Sequence, residues 1–174
     1  MENKKKTILC NNKRCIALTL FCFMLLTTSS YAGKNPDFSG EWTLNNSKSE
    51  LGEFSWAATT LIIVQDKKAM VITRKGTGFE GEEYEIKEEY TLDGKECVNN
   101  IFEAMQKKST VTWSDDKTSL IITSILNFER EGETMEIKSV ENLKLGEDKR
   151  NLLIDYSSSS DWGDMEQKMV YDKK

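Results

Sequence analysis

The chain predicts an all-β fold, an antiparallel up-and-down barrel of 8–10 strands, on three observations. Turn signals recur roughly every 8–14 residues between β-rich runs. Those runs alternate apolar and polar side chains, as strands with one dry and one wet face do. Many sequential antiparallel strands must also dispose of their edges, and closure into a barrel does so completely. The same pattern allows a β-sandwich as the alternative.

Strands are expected near 38–45, 59–66, 69–75, 83–92, 95–99, 108–114, 118–129, 133–145, 149–157 and 164–172. Phe38-Ser39-Gly40-Glu41-Trp42-Thr43-Leu44 opens the series, with a glycine that permits close approach of a neighbour and an indole suited to plugging one end. Asp66-Lys67-Lys68 turns the second run into the third. In the fourth, Tyr84, Ile86, Tyr90 and Leu92 share one face, while Glu83, Glu85, Lys87 and Glu89 share the other. Asp93-Gly94 is a two-residue hairpin signal, which would set Tyr90 opposite Cys97 and turn that thiol inward as a small hydrophobe. Ser114-Asp115-Asp116-Lys117, Glu131-Gly132 and Gly146-Glu147-Asp148 supply later turns. Leu120, Ile122, Leu126 and Phe128 line one face, as do Met135, Ile137, Leu143 and Leu145. Ser157 to Asp164 reads as a long hairpin loop. Short helical pieces are expected only at Ser47–Glu53 and Asn99–Met105.

Residues 1–32 have the zones of a cleavable secretory signal. Lys4, Lys5, Lys6, Lys13 and Arg14 precede an apolar run from Cys15 to Leu26, and Ser30 and Ala32 suit cleavage after Ala32. That run falls short of the ~20 residues a spanning helix needs. The expectation is therefore export to the periplasm or beyond, with residues 33–174 as one domain and no stable membrane anchor. The signal carries five basic residues and Glu2. Without it 19 basic residues face 28 acidic ones, and the net charge goes from −5 to −9. Such a balance argues against nucleic acid and anionic membrane surfaces. Cys10, Cys15 and Cys22 leave with the signal, so Cys97 has no internal disulfide partner. The chain has no histidine. The commonest general base and the commonest metal ligand are both missing, so no metal, cofactor or catalytic residue is nominated.

Phe38-x-Gly40-x-Trp42-x-Leu44 resembles the first strand of calycin-type barrels, the superfamily of lipocalins and cellular fatty-acid-binding proteins. Met169-Val170-Tyr171-Asp172-Lys173 resembles the closing strand of the fatty-acid binders, with Tyr171 at the family tyrosine. Met169 stands where the family has its carboxylate-binding arginine. Residues 46–58 are too few for the helix–turn–helix of those proteins. The whole is most similar to exported bacterial lipocalin-like domains, which implies a lumen that holds a small, largely apolar ligand.

Polarity interrupts the dry faces at three places. Glu88 lies between Ile86 and Tyr90, Glu141 interrupts Met135 to Leu145 with Ser139 beside it, and Arg74 follows Met70 and Ile72 in parity. A buried carboxylate needs a cation, water or a ligand group. Either Arg74 pairs with these carboxylates in a cavity, or a bulge or rim position takes them to water. In the first case Arg74, Glu88 and Glu141 would orient a polar head group, and Trp42, Tyr90, Trp113, Phe128 and Tyr171 would supply apolar contact. The alternative function is a non-enzymatic interaction or inhibitor module with a filled core. It would use the aromatic loops at Phe54, Trp56 and Trp162 on a cell-envelope partner. Gly76-Thr77-Gly78-Phe79-Glu80-Gly81 satisfies a dinucleotide fingerprint literally. An acidic strand rather than a helix follows it, so it reads as a loop.

Overall fold

The computed structural model describes residues 35–174 apart from 53–54, 56, 79–80, 103–104, 131 and the Arg130 side chain. The signal-like segment and the Phe54 and Trp56 loop positions therefore lie outside the described residues. Ten strands follow one another: β1 Gly40–Leu44, β2 Thr60–Gln65, β3 Ala69–Thr77, β4 Glu83–Thr91, β5 Glu96–Phe102, β6 Met105–Trp113, β7 Ser119–Arg130, β8 Glu133–Leu145, β9 Asn151–Ser160 and β10 Gly163–Lys173. They form one sheet in the order β4-β3-β2-β1-β10-β9-β8-β7-β6-β5. Every ladder is antiparallel, and β1 joins β10 at Trp42–Lys173, Thr43–Asp172 and Leu44–Tyr171. The barrel is nearly closed, as the alternation predicts.

Among the described residues, the joint without a ladder is the seam between β4 and β5. There a side chain replaces the missing rungs. Asn99, 7% exposed, accepts the Glu89 N–H at 2.7 Å and donates to the Glu89 carbonyl at 3.1 Å. The Thr91 N–H lies 3.2 Å from Cys97 Sγ. The expected Tyr90–Cys97 pairing is therefore not formed. Glu89 meets Asn99 and Thr91 meets Cys97, a shift of one residue that a ladder would forbid but an unladdered seam tolerates. Asn99→Ala is expected to destabilise the fold by about 1 kcal/mol, since it removes both hydrogen bonds that tie the part-buried Glu89 backbone to β5. Chemical denaturation and faster amide exchange confined to β4 and β5 would report it. An unchanged midpoint would mean the seam is held elsewhere.

Neither expected helix forms among the described residues. Asn45 Oδ1 accepts from the Ser47 hydroxyl at 2.7 Å and the Lys48 N–H at 3.2 Å, which turns the chain. Glu50 then pairs with Lys168, so the segment continues along β10. Asn99 to Phe102 completes β5, with a bulge between Asn100 and Phe102. Nor is Ser157–Ser160 a loop. All four serines pair with β10, and the turn shrinks to Asp161-Trp162.

The interior has two unlike halves. Phe38, Trp42, Leu61, Met70, Leu120, Leu143, Leu152 and Tyr171 expose nothing and fill one end solidly. Trp42 Nε1 donates to the Phe38 carbonyl at 3.0 Å, and Phe38 stacks on Trp113 with centroids 6.1 Å apart. Tyr171 donates its hydroxyl to the Ala58 carbonyl at 3.0 Å. Gly40 has φ of 149°, and a Cβ there would lie 3.1 Å from Lys173 Cε. That lets Lys173 cross the strand and set its ammonium 5.1 Å from the Trp42 ring, a cation–π contact. At the other end the inward residues are only partly covered. Tyr84, Ile86, Ile101, Met105, Leu126, Phe128, Met135 and Ile137 there are each half-buried.

Candidate functional site

Between the two halves, four charged side chains cross the lumen. Arg74 on β3 donates from Nε to Glu88 Oε2 on β4 at 2.5 Å, and from Nη2 to both Glu141 oxygens on β8 at 3.0 and 2.8 Å. β3 and β8 are five places apart in the ten-strand order, so this fork spans the barrel. Lys107 on β6 completes the set, 2.7 Å from Glu88 Oε1 and 3.5 Å from Glu141 Oε1. Two cations meet two anions, and the quartet is neutral as a unit.

Burial makes these pairs matter. The side chains of Glu88 and Glu141 are 1% and 5% exposed, those of Arg74 and Lys107 17% and 13%. Burial by itself would raise the Glu88 pKa. The Arg74 and Lys107 charges and their hydrogen bonds outweigh it and hold the carboxyl at about 2. Burial would likewise discharge Arg74, but Glu141 and Glu88 keep it firmly ionised. The Tyr90 hydroxyl is buried beside Glu88 without hydrogen-bond geometry to it or any other described partner. Its pKa is pushed well up by burial and by the Glu88 charge. Nearer the mouth, the Tyr84 ring crosses Gly76, where a Cβ would fall 2.5 Å from the tyrosine oxygen.

Next to the quartet runs a row of small polar side chains. Ladder register places Cys97 opposite Ser109, Ser109 opposite Ser124, Ser124 opposite Ser139 and Ser139 opposite Ser158. The row thus crosses β5 to β9 on the inward face. Ser109 and Ser124 are buried and share a hydrogen bond of 2.8 Å. Ser139 and Ser158 are half-buried and face the lumen. Small side chains here leave the wall recessed.

The structure thus brings Arg74, Glu88 and Glu141 together, with Tyr90 against them. Phe128 sits apart at the mouth, its ring 5.7 Å from that of Trp162, which is largely exposed on the β9–β10 turn. Trp42, Trp113 and Tyr171 belong to the packed end. Trp42 and Tyr171 in particular are fully buried and committed to backbone carbonyls, so they are packing groups and offer no wall to a ligand. Sequence reasoning missed Lys107, because the mistaken helix at 99–105 hid the start of β6. Counting back by twos from Val111 and Ser109 would have found it. A separate shallow groove of about 540 Å³ lies on the outer wall between Asn142, Asp155 and Lys168, away from the quartet.

No family model matches the chain, and no curated protein matches it. Among solved structures it is similar to the zebrafish ileal bile acid-binding protein complexed with cholic acid. The TM-score is 0.53 and the identity 14%, and the match covers 79% of this chain and 98% of that one. The likeness is one of fold: a nearly closed antiparallel barrel of ten strands among the described residues.

Proposed function

We propose that this chain is an exported, non-enzymatic carrier that holds a small, largely apolar molecule in the open half of its lumen. The quartet carries this reading. A fold stabilised by packing alone has no need for four charged groups inside, since apolar residues of similar volume are as stabilising or more so. Charges kept at the floor of a partly open apolar chamber suit the orientation of a ligand's polar group. The ileal protein with a similar barrel binds cholic acid, which agrees with a ligand in the lumen. The signal-like segment of residues 1–32 supports cleavage after Ala32 and residence in the periplasm or outside the cell.

Native mass spectrometry of residues 33–174, purified from an exporting host, tests the carrier reading. A stoichiometric co-purifying small molecule, or saturable one-to-one uptake of Nile red, is expected. A clean apo mass together with no uptake of Nile red would overturn it. That result would favour the second reading, an interaction module working through exposed aromatics such as Trp162.

A further inference from the structure

We infer that the lumen is built for an uncharged amphipath bearing hydroxyl or carbonyl groups, such as a monoacylglycerol, in preference to an ionised lipid. This deepens the carrier reading and rests on it. Three independent observations point the same way.

The first is internal neutrality. Arg74 and Lys107 are both matched by Glu88 and Glu141. An ionised head group would add an uncompensated charge to a desolvated site, and buried charge without a partner is costly.

The second is the rim. Among the described residues, Glu82, Glu83, Glu129, Glu133, Asp161 and Asp164 stand at or beside the turns of that end. Such acids repel an approaching anion over about a Debye length, ~8 Å at physiological salt. A cation passes them easily, but then meets the exposed sides of Arg74 and Lys107. Arg74 and Lys107 lie nearer the mouth than the carboxylates. Arg74 is in register with Ile86, one inward position mouthward of Glu88. Lys107 is in register with Leu126, and Leu126 with Ile137, two inward positions mouthward of Glu141. Each sign of charge is disfavoured at one of the two stations, and a neutral molecule at neither.

The third is the row of hydroxyls. Ser139 and Ser158 face the open lumen with no side-chain partner among the described residues, beside the bonded pair Ser109 and Ser124. A hydroxyl is both donor and acceptor, so this row matches neutral hydroxyl and carbonyl groups.

Displacement of Nile red from the delipidated mature barrel at neutral pH tests this, with monodecanoylglycerol, decanoate and decylamine as competitors of equal chain length. Monodecanoylglycerol is expected to bind about tenfold or more tighter than either ion, the scale of one or two hydrogen bonds. Ser139→Ala with Ser158→Ala should weaken it by about tenfold while the thermal midpoint stays unchanged. Tighter or equal binding of decanoate or decylamine would overturn the neutral preference and leave the carrier reading standing. An unaffected serine double variant would overturn the role of the row. Failure of Nile red and all three competitors to bind would overturn the carrier reading and this inference with it.

Discussion

Arg74→Met is expected to destabilise the barrel by about 3–5 kcal/mol, the range for breaking a buried pair from one side. The arginine alone touches both buried carboxylates by fork geometry, through Nε to Glu88 and Nη2 to Glu141. Without it, Lys107 faces two buried anions across the lumen, 2.7 Å from one and 3.5 Å from the other. A single ammonium carries one charge and cannot neutralise both. Denaturant unfolding of the wild type and variant would measure the loss. Replacing all four members with methionine is expected to restore most of it, because a matched quartet in an apolar interior contributes little net stability. That pair of results would separate the cost of an orphaned charge from the worth of the cluster. A loss under about 1 kcal/mol for Arg74→Met would mean the lumen is solvated at this level.

Acid is expected to weaken the fold through Glu88. Its folded pKa of about 2 lies below the ordinary carboxylate value of 4.5. Between those values the unfolded chain binds the extra proton, so stability rises with pH across the window. The contribution is fully present above about pH 5 and is lost as pH falls through about 2. The shift corresponds to about 3 kcal/mol. Exposed carboxylates such as Asp93 and Asp116 are held low by local hydrogen bonds and slope the same way. The Glu88 part is therefore read as a difference. Unfolding free energy measured from pH 7 to pH 2 should fall less steeply in Glu88→Gln than in the wild type. Parallel curves would contradict the assignment.

What could be read from the sequence was what period-two alternation carries. The faces of β4, β7 and β8 were plain, and the same parity turned Arg74, Glu88 and Glu141 inward. Contacts across the barrel were not legible. Parity says that two side chains share an interior, but only the strand order shows that Arg74 reaches a strand five places away. Lys107 was hidden by a bulge at Asn100/Phe102, where local pattern failed. Ser157–Ser160 looked like a loop because serine favours turns, yet ladders to both β8 and β10 hold it in a strand. The division into a packed half and an open half depends on how large residues meet. Trp42 and Tyr171 drew attention as aromatics in a barrel, and only their carbonyl bonds assign them to packing.

Shift mapping by heteronuclear NMR during a Nile red titration locates the ligand chamber. Perturbation is expected at Phe128, Met135, Ser139 and Ser158, with the Trp42 indole and Tyr171 left unmoved. Perturbation centred on Trp42 and Tyr171, or on the outer groove at Asn142, Asp155 and Lys168, would contradict a ligand chamber above the charged quartet.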